Sequence, residues 1–92
     1  MHIGEVIKEV ITQKKITQSR LARKTNLTDV FINQVLKCKQ TPSNYNLRLI
    51  SKAVDLPPLV IRLVADNIEE VPETNIHRFQ NLISILIENH KP

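Results

Sequence analysis

Apolar positions recur along this chain at helical spacing in six places, and strand-like alternation is absent. Ile3, Val6, Ile7, Val10 and Ile11 fall on one side of a first amphipathic helix. Thr17 is a good N-cap for a second helix running to about Lys24. Asn26 follows where the chain must turn, and asparagine tolerates the left-handed conformation that closes a helix. Thr28 then caps a third helix with Phe31, Ile32, Val35 and Leu36 facing inward. Pro42 interrupts, and Ser43 caps a fourth helix with Leu47, Ile50 and Val54 as its core face. Pro57-Pro58 opens a fifth, carrying Leu59, Val60, Leu63 and Val64. After an acidic stretch containing Pro72, Glu73 or Thr74 is expected to cap a sixth, with Ile76, Phe79, Leu82, Ile83, Leu86 and Ile87. The expected organisation is all-α: a five-helix unit over residues 1–66, a linker over 67–73 and a C-terminal helix over 74–92.

Composition narrows the function. Ninety-two residues make one small domain, of which 41% are apolar, so the chain is globular rather than disordered. Only three residues are aromatic, which leaves few stacking platforms for single-stranded nucleic acid. The net charge of +4 is unevenly placed: residues 1–65 carry +7 and residues 66–92 carry −3. A basic body points to a polyanionic partner. A single cysteine, Cys38, excludes an internal disulfide and fits a reducing compartment. No apolar run approaches the ~20 residues of a membrane span, and no signal-peptide core follows Met1, so a cytoplasmic protein without a membrane partner is expected. His2, His77 and His90 have no metal-ligand spacing with Cys38, so neither a metal nor another cofactor is expected.

The second and third helices are short, and about three residues join them. They cannot lie antiparallel and must cross steeply, as in a helix-turn-helix. Leu21, Ala22, Leu27, Ile32 and Val35 suit such a crossing, with Ala22 small where the helices touch. Here the chain resembles the Cro/C1-type (XRE) helix-turn-helix family, a lambda-repressor-like fold. The resemblance lies in Ile16-Thr17-Gln18, Leu21-Ala22, Leu27-Thr28, Ile32 and Lys39-Gln40-Thr41-Pro42-Ser43. It implies double-stranded DNA as partner, with the third helix in the major groove. Gln18 would then hold the phosphate backbone. Thr28, Asp29, Val30, Asn33 and Gln34 would face the groove, and Lys37, Lys39, Ser43 and Asn44 would meet the next phosphates. Asparagine and glutamine pair with adenine edges, and a valine methyl can meet thymine. The family usually has glycine where Asn26 and Cys38 stand. Asn26 is a mild substitution, whereas Cys38 predicts an altered turn.

A second resemblance is to cyanase, carried by LTDVFINQVL, by KAVDLPPLVIRLV and by the P-x-T-x-I-H-R-F run at 72–79. Arg78 matches that family's catalytic arginine, while Asn81 stands where its catalytic glutamate belongs. This resemblance implies shared architecture without catalysis, hence an alternative in which the chain is a cyanase-like interaction module that does not bind DNA. The sixth helix is apolar over much of its circumference, with Ile76, Phe79, Ile83 and Leu86 as one stripe. Self-association into a homodimer through this helix is the expected use, and it would place two recognition helices in one particle.

Overall fold

The computed structural model describes residues 1–69 and 73–90. All regular structure among the described residues is helical: α1 (Ile3–Lys14), α2 (Gln18–Thr25), α3 (Asp29–Leu36), α4 (Asn44–Val54), α5 (Pro58–Asn67), a 3-10 turn (Glu73–Asn75) and α6 (Ile76–Asn89). The stretch expected as a linker falls partly outside the described residues, at 70–72, as do positions 91 and 92.

Three helix starts follow the capping chemistry. Thr17, Thr28 and Ser43 have extended backbones, and their hydroxyl oxygens accept the N–H of Arg20, Phe31 and Asn46 at 3.2, 3.1 and 3.1 Å. Each such cap stabilises by about 1 kcal/mol. The start of α6 differs from expectation. The 3-10 turn absorbs Glu73 and Thr74, and Asn75 precedes the helix without a side-chain cap.

Four helix ends share one device. Lys15, Asn26, Cys38 and Asp55 all adopt the left-handed conformation, with φ of 57°, 60°, 61° and 60°. The next residue then donates back into the helix it has left: Ile16 to Ile11, Leu27 to Ala22, Lys39 to Gln34 and Leu56 to Ser51, at 2.9, 3.2, 2.9 and 3.1 Å. These are Schellman closures. In three of them that donor is apolar and turns inward, so Ile16, Leu27 and Leu56 join the core. The turn at Cys38 is therefore not altered. A cysteine holds the glycine-like conformation because both closing bonds are made, Cys38 to Val35 (3.0 Å) and Lys39 to Gln34.

The core centres on α1, which packs against α3, α4, α5 and α6. Ile7, Leu21, Ile32, Leu47, Ile50, Ile61 and Ile83 are fully buried together. Phe31, read from the sequence as inward, is half-buried and lies against this cluster. Two lysines secure α4 from other helices: Lys14 donates to the Val54 carbonyl, and Lys24 to the Ala53 carbonyl at 3.3 Å. Ammonium groups at a helix C-terminus also oppose its negative dipole end.

Gly4, the chain's one glycine, sits inside α1. A Cβ there would lie 2.0 Å from the Val35 carbonyl oxygen and 3.2 Å from Cys38 Sγ. The backbone of α1 thus touches the backbone of the last turn of α3. Alanine is a better helix former than glycine by about 1 kcal/mol. Against a backbone carbonyl the overpacking cost dominates, so Gly4→Ala should lower unfolding free energy by about 2 kcal/mol in urea melts. A variant as stable as the wild type would show that this contact relaxes freely.

Candidate nucleic-acid interface

The α2–α3 crossing is built from small buried parts. Leu21 and Ala22 of α2 meet Ile32 and Val35 of α3 in the core. Thr25, buried at the end of α2, fixes the corner. Its hydroxyl donates to the Leu21 and Ala22 carbonyls (2.8 and 3.1 Å) and accepts the N–H of Leu27 (3.3 Å). Periodicity gives Thr25 no role, although a threonine just before the turn residue was a usable signal.

With one side of α3 committed to the core, Asp29, Val30, Asn33, Gln34 and Lys37 form its outer face. Val30 is 71% exposed, Asp29 and Lys37 are exposed, and Asn33 and Gln34 are half-buried. Thr28 is exposed at the start of the same helix. Gln18 stitches α2 to this face. Its side-chain oxygen accepts from Asn33 Nδ2 at 3.1 Å, and its Nε2 makes a long 3.4 Å contact with the Asp29 carbonyl. Gln18, Asp29 and Asn33 are thereby brought together, and Asn33 is pre-oriented. Gln34 has no side-chain hydrogen bond among the described residues, so its donors and acceptor are all open. Asp29 lies in the first turn, where the positive dipole end favours a carboxylate.

Beyond α3 the chain passes through the Cys38 turn, with Lys37 and Lys39 exposed on either side of it. Pro42 is buried, and Ser43 and Asn44 are exposed at the start of α4. Because the Ser43 oxygen accepts a backbone N–H, its own proton remains free to donate; the same holds at Thr17 and Thr28. The first turn of α4 adds unpaired N–H groups and positive dipole, which suit a phosphate. Asn44 Oδ1 accepts from Arg62 Nη2 of α5. This bond engages the Asn44 oxygen, leaves its amide donors open, and brings a fifth-helix arginine to the edge of the surface. Sequence reading omitted Arg62, because nothing in the spacing joins positions eighteen residues apart.

The apolar stripe of α6 is largely used within the chain. Phe79 and Ile83 are buried, and Leu82, Leu86 and Ile87 are half-buried against the same core. Gln13 of α1 binds the helix further: its Nε2 donates to the Gln80 carbonyl (2.8 Å), and its Oε1 accepts from Ser84 Oγ (2.6 Å). Ile76 and Ile85 are exposed, Ile85 by 57%. Arg78 and Asn81 both lie exposed on α6.

The helix-turn-helix family model matches residues 7–61, from the second turn of α1 into α5. No curated protein matches the chain. No helix among the described residues is long and apolar enough to cross a membrane.

The Cys38 thiol is pushed up from its ordinary pKa by burial first and by the Glu5 carboxylate second. Fewer thiolates at a given pH mean slower alkylation. Iodoacetamide at pH 8 should therefore react with Cys38 more slowly than with glutathione, and Glu5→Gln should quicken it. Equal rates for protein and glutathione would contradict this environment.

The match covers more than half of the chain and spans the crossing of α2 and α3 described above, so the chain belongs to the Cro/C1-type (XRE) helix-turn-helix family.

Proposed function

We propose that the chain is a sequence-specific, DNA-binding transcriptional regulator that acts as a dimer. The observation that supports this best is one continuous outward surface: the outer face of α3, the Lys37–Lys39 turn and the first turn of α4. It presents amide readers in its middle and cationic or hydroxyl donors at its edge. Asn33 and Gln34 read base edges, and Val30 offers methyls to thymine. Gln18, Thr28, Lys37, Lys39, Ser43 and Asn44 hold phosphates, which set register without carrying sequence. Asp29 is either a cytosine acceptor or a specificity filter beside the backbone. The chain's role is binding, with no catalytic residue and no cofactor, in the cytoplasm where DNA is accessible.

In this reading residues 1–66 read DNA, 67–73 connect and 74–92 associate. The whole chain measures 34 × 32 × 22 Å, a suitable width for one half-site per turn of duplex. Exposed Ile85, with the half-buried edges of Leu82 and Leu86 beside it, supplies the apolar seam of α6. Selecting genomic fragments with the purified protein tests the whole reading. An enriched inverted repeat is expected; no enriched motif would favour the interaction module that does not bind DNA.

Two variants separate reading from holding. Gln34→Ala should cost about 1–3 kcal/mol on the selected site and little on random duplex. Lys37→Ala with Lys39→Ala should weaken binding to both and lower the salt slope by about one unit per lost phosphate contact. A Gln34 variant that loses equally on both duplexes would assign that residue to the backbone.

For assembly, Ile85→Asp is a cleaner probe than a change at Leu86, which packs on the core. A carboxylate in an apolar seam costs several kcal/mol unless protonated or paired. Sedimentation should show the wild type as a dimer at tens of micromolar and the variant as a folded monomer. A monomeric wild type removes the dimer from the account.

A further inference from the structure

An open cleft of about 480 Å³ lies between α4, the start of α5 and the end of α6. Three independent features of it ask for an anion. Arg48 and Lys52, one helical turn apart on α4, are exposed and have no ion-pair partner among the described residues, and they outnumber Asp55 on the same rim. The N-terminus of α5 also enters the cleft, through Pro57 and Pro58. That terminus has no side-chain cap, because Pro57 occupies the N-cap position. Its positive dipole end is therefore unanswered.

The third feature is Ser51. It lines the cleft and is 3% exposed, yet its Oγ has no hydrogen-bond partner among the described residues. A buried hydroxyl without a partner is costly, and such a group in a native fold needs an explanation. His90 closes the far side. Its Nδ1 donates to the Leu86 carbonyl at 3.1 Å, which fixes the ring and leaves Nε2 unengaged. Leu56 and the two prolines give the cleft an apolar wall.

We propose that this cleft binds a small organic oxyanion, a carboxylate or phosphate ester with a short apolar body. Arg48, Lys52 and the N-terminus of α5 hold the anionic end, Ser51 supplies a hydroxyl donor, and Leu56 and the prolines contact the apolar part. The site belongs to two parts of the chain at once, so its ligand ties the end of α6 to the five-helix body. The assignment stands whether or not the protein binds DNA.

Amide chemical-shift titrations of the full chain test it, with sodium benzoate and inorganic phosphate as probes and sodium chloride at matched ionic strength as control. Saturable shifts are expected at Ser51, Lys52, Leu56, Leu59 and His90, tighter for benzoate than for phosphate because of the apolar wall. Arg48→Gln with Lys52→Gln, both surface positions, should abolish saturation without unfolding the chain. Ser51→Ala should weaken benzoate binding about fivefold while raising the melting temperature, since it removes a buried hydroxyl that the ligand-free protein leaves unbonded. Shifts that spread over all basic surfaces and follow chloride would overturn the proposal. So would unchanged binding in both variants, or a double variant that instead lowers the salt slope of DNA binding, which would assign the two cations to backbone phosphate.

Discussion

The fold depends on one contact between backbones. Gly4 of α1 lies against the Val35 carbonyl of α3 with no side chain between them. A glycine inside a helix costs about 1 kcal/mol relative to alanine, so its presence there needs a close approach to offset it. Because α1 also packs on α4, α5 and α6, fixing α3 against α1 fixes it against everything else. The outer face of α3 is then outward by default, since its other faces are occupied. The left-handed Cys38 turn completes the arrangement, closing α3 next to Gly4 and sending the chain past Lys39 toward α4.

The proposed DNA-binding surface reuses the groups that hold the helices. Thr17, Thr28 and Ser43 satisfy helix N–H groups with their oxygens and keep their protons for another acceptor. Gln18 sets the side chain of Asn33, and Arg62 sets that of Asn44. A reader held in place by protein loses less freedom on binding. In the proposed function stability and recognition therefore share residues, and a change at Gln18 or Arg62 would act through a neighbour.

Much of this was legible in the sequence. Helical spacing with Thr17, Thr28 and Ser43 gave the helices and their starts, and the short α2–α3 connection gave the crossing. The outer positions of α3 followed from the inner ones. Other features were not legible for a physical reason. Lys15 and Cys38 are ordinary residues locally, and only the tertiary pull on Ile16, or the paired bonds around Cys38, puts them in the left-handed region, whereas Asp55 tolerates it by itself. Gly4 reads as a weak helix residue until α3 is behind it. The bond between Arg62 and Asn44 joins separate helices. For α6 the sequence shows an apolar stripe, but not what covers it. The structure lays Phe79 and Ile83 on α1 and leaves Ile85 outside.

The claim that α3 reads DNA is tested most directly by amide chemical-shift changes on adding a duplex carrying the selected site. The account predicts the largest changes at Thr28 to Gln34, with a second group from Lys37 to Asn44 and at Gln18, and little along α6. Changes centred on α5 or α6 with α3 undisturbed, or none at physiological salt, would contradict it.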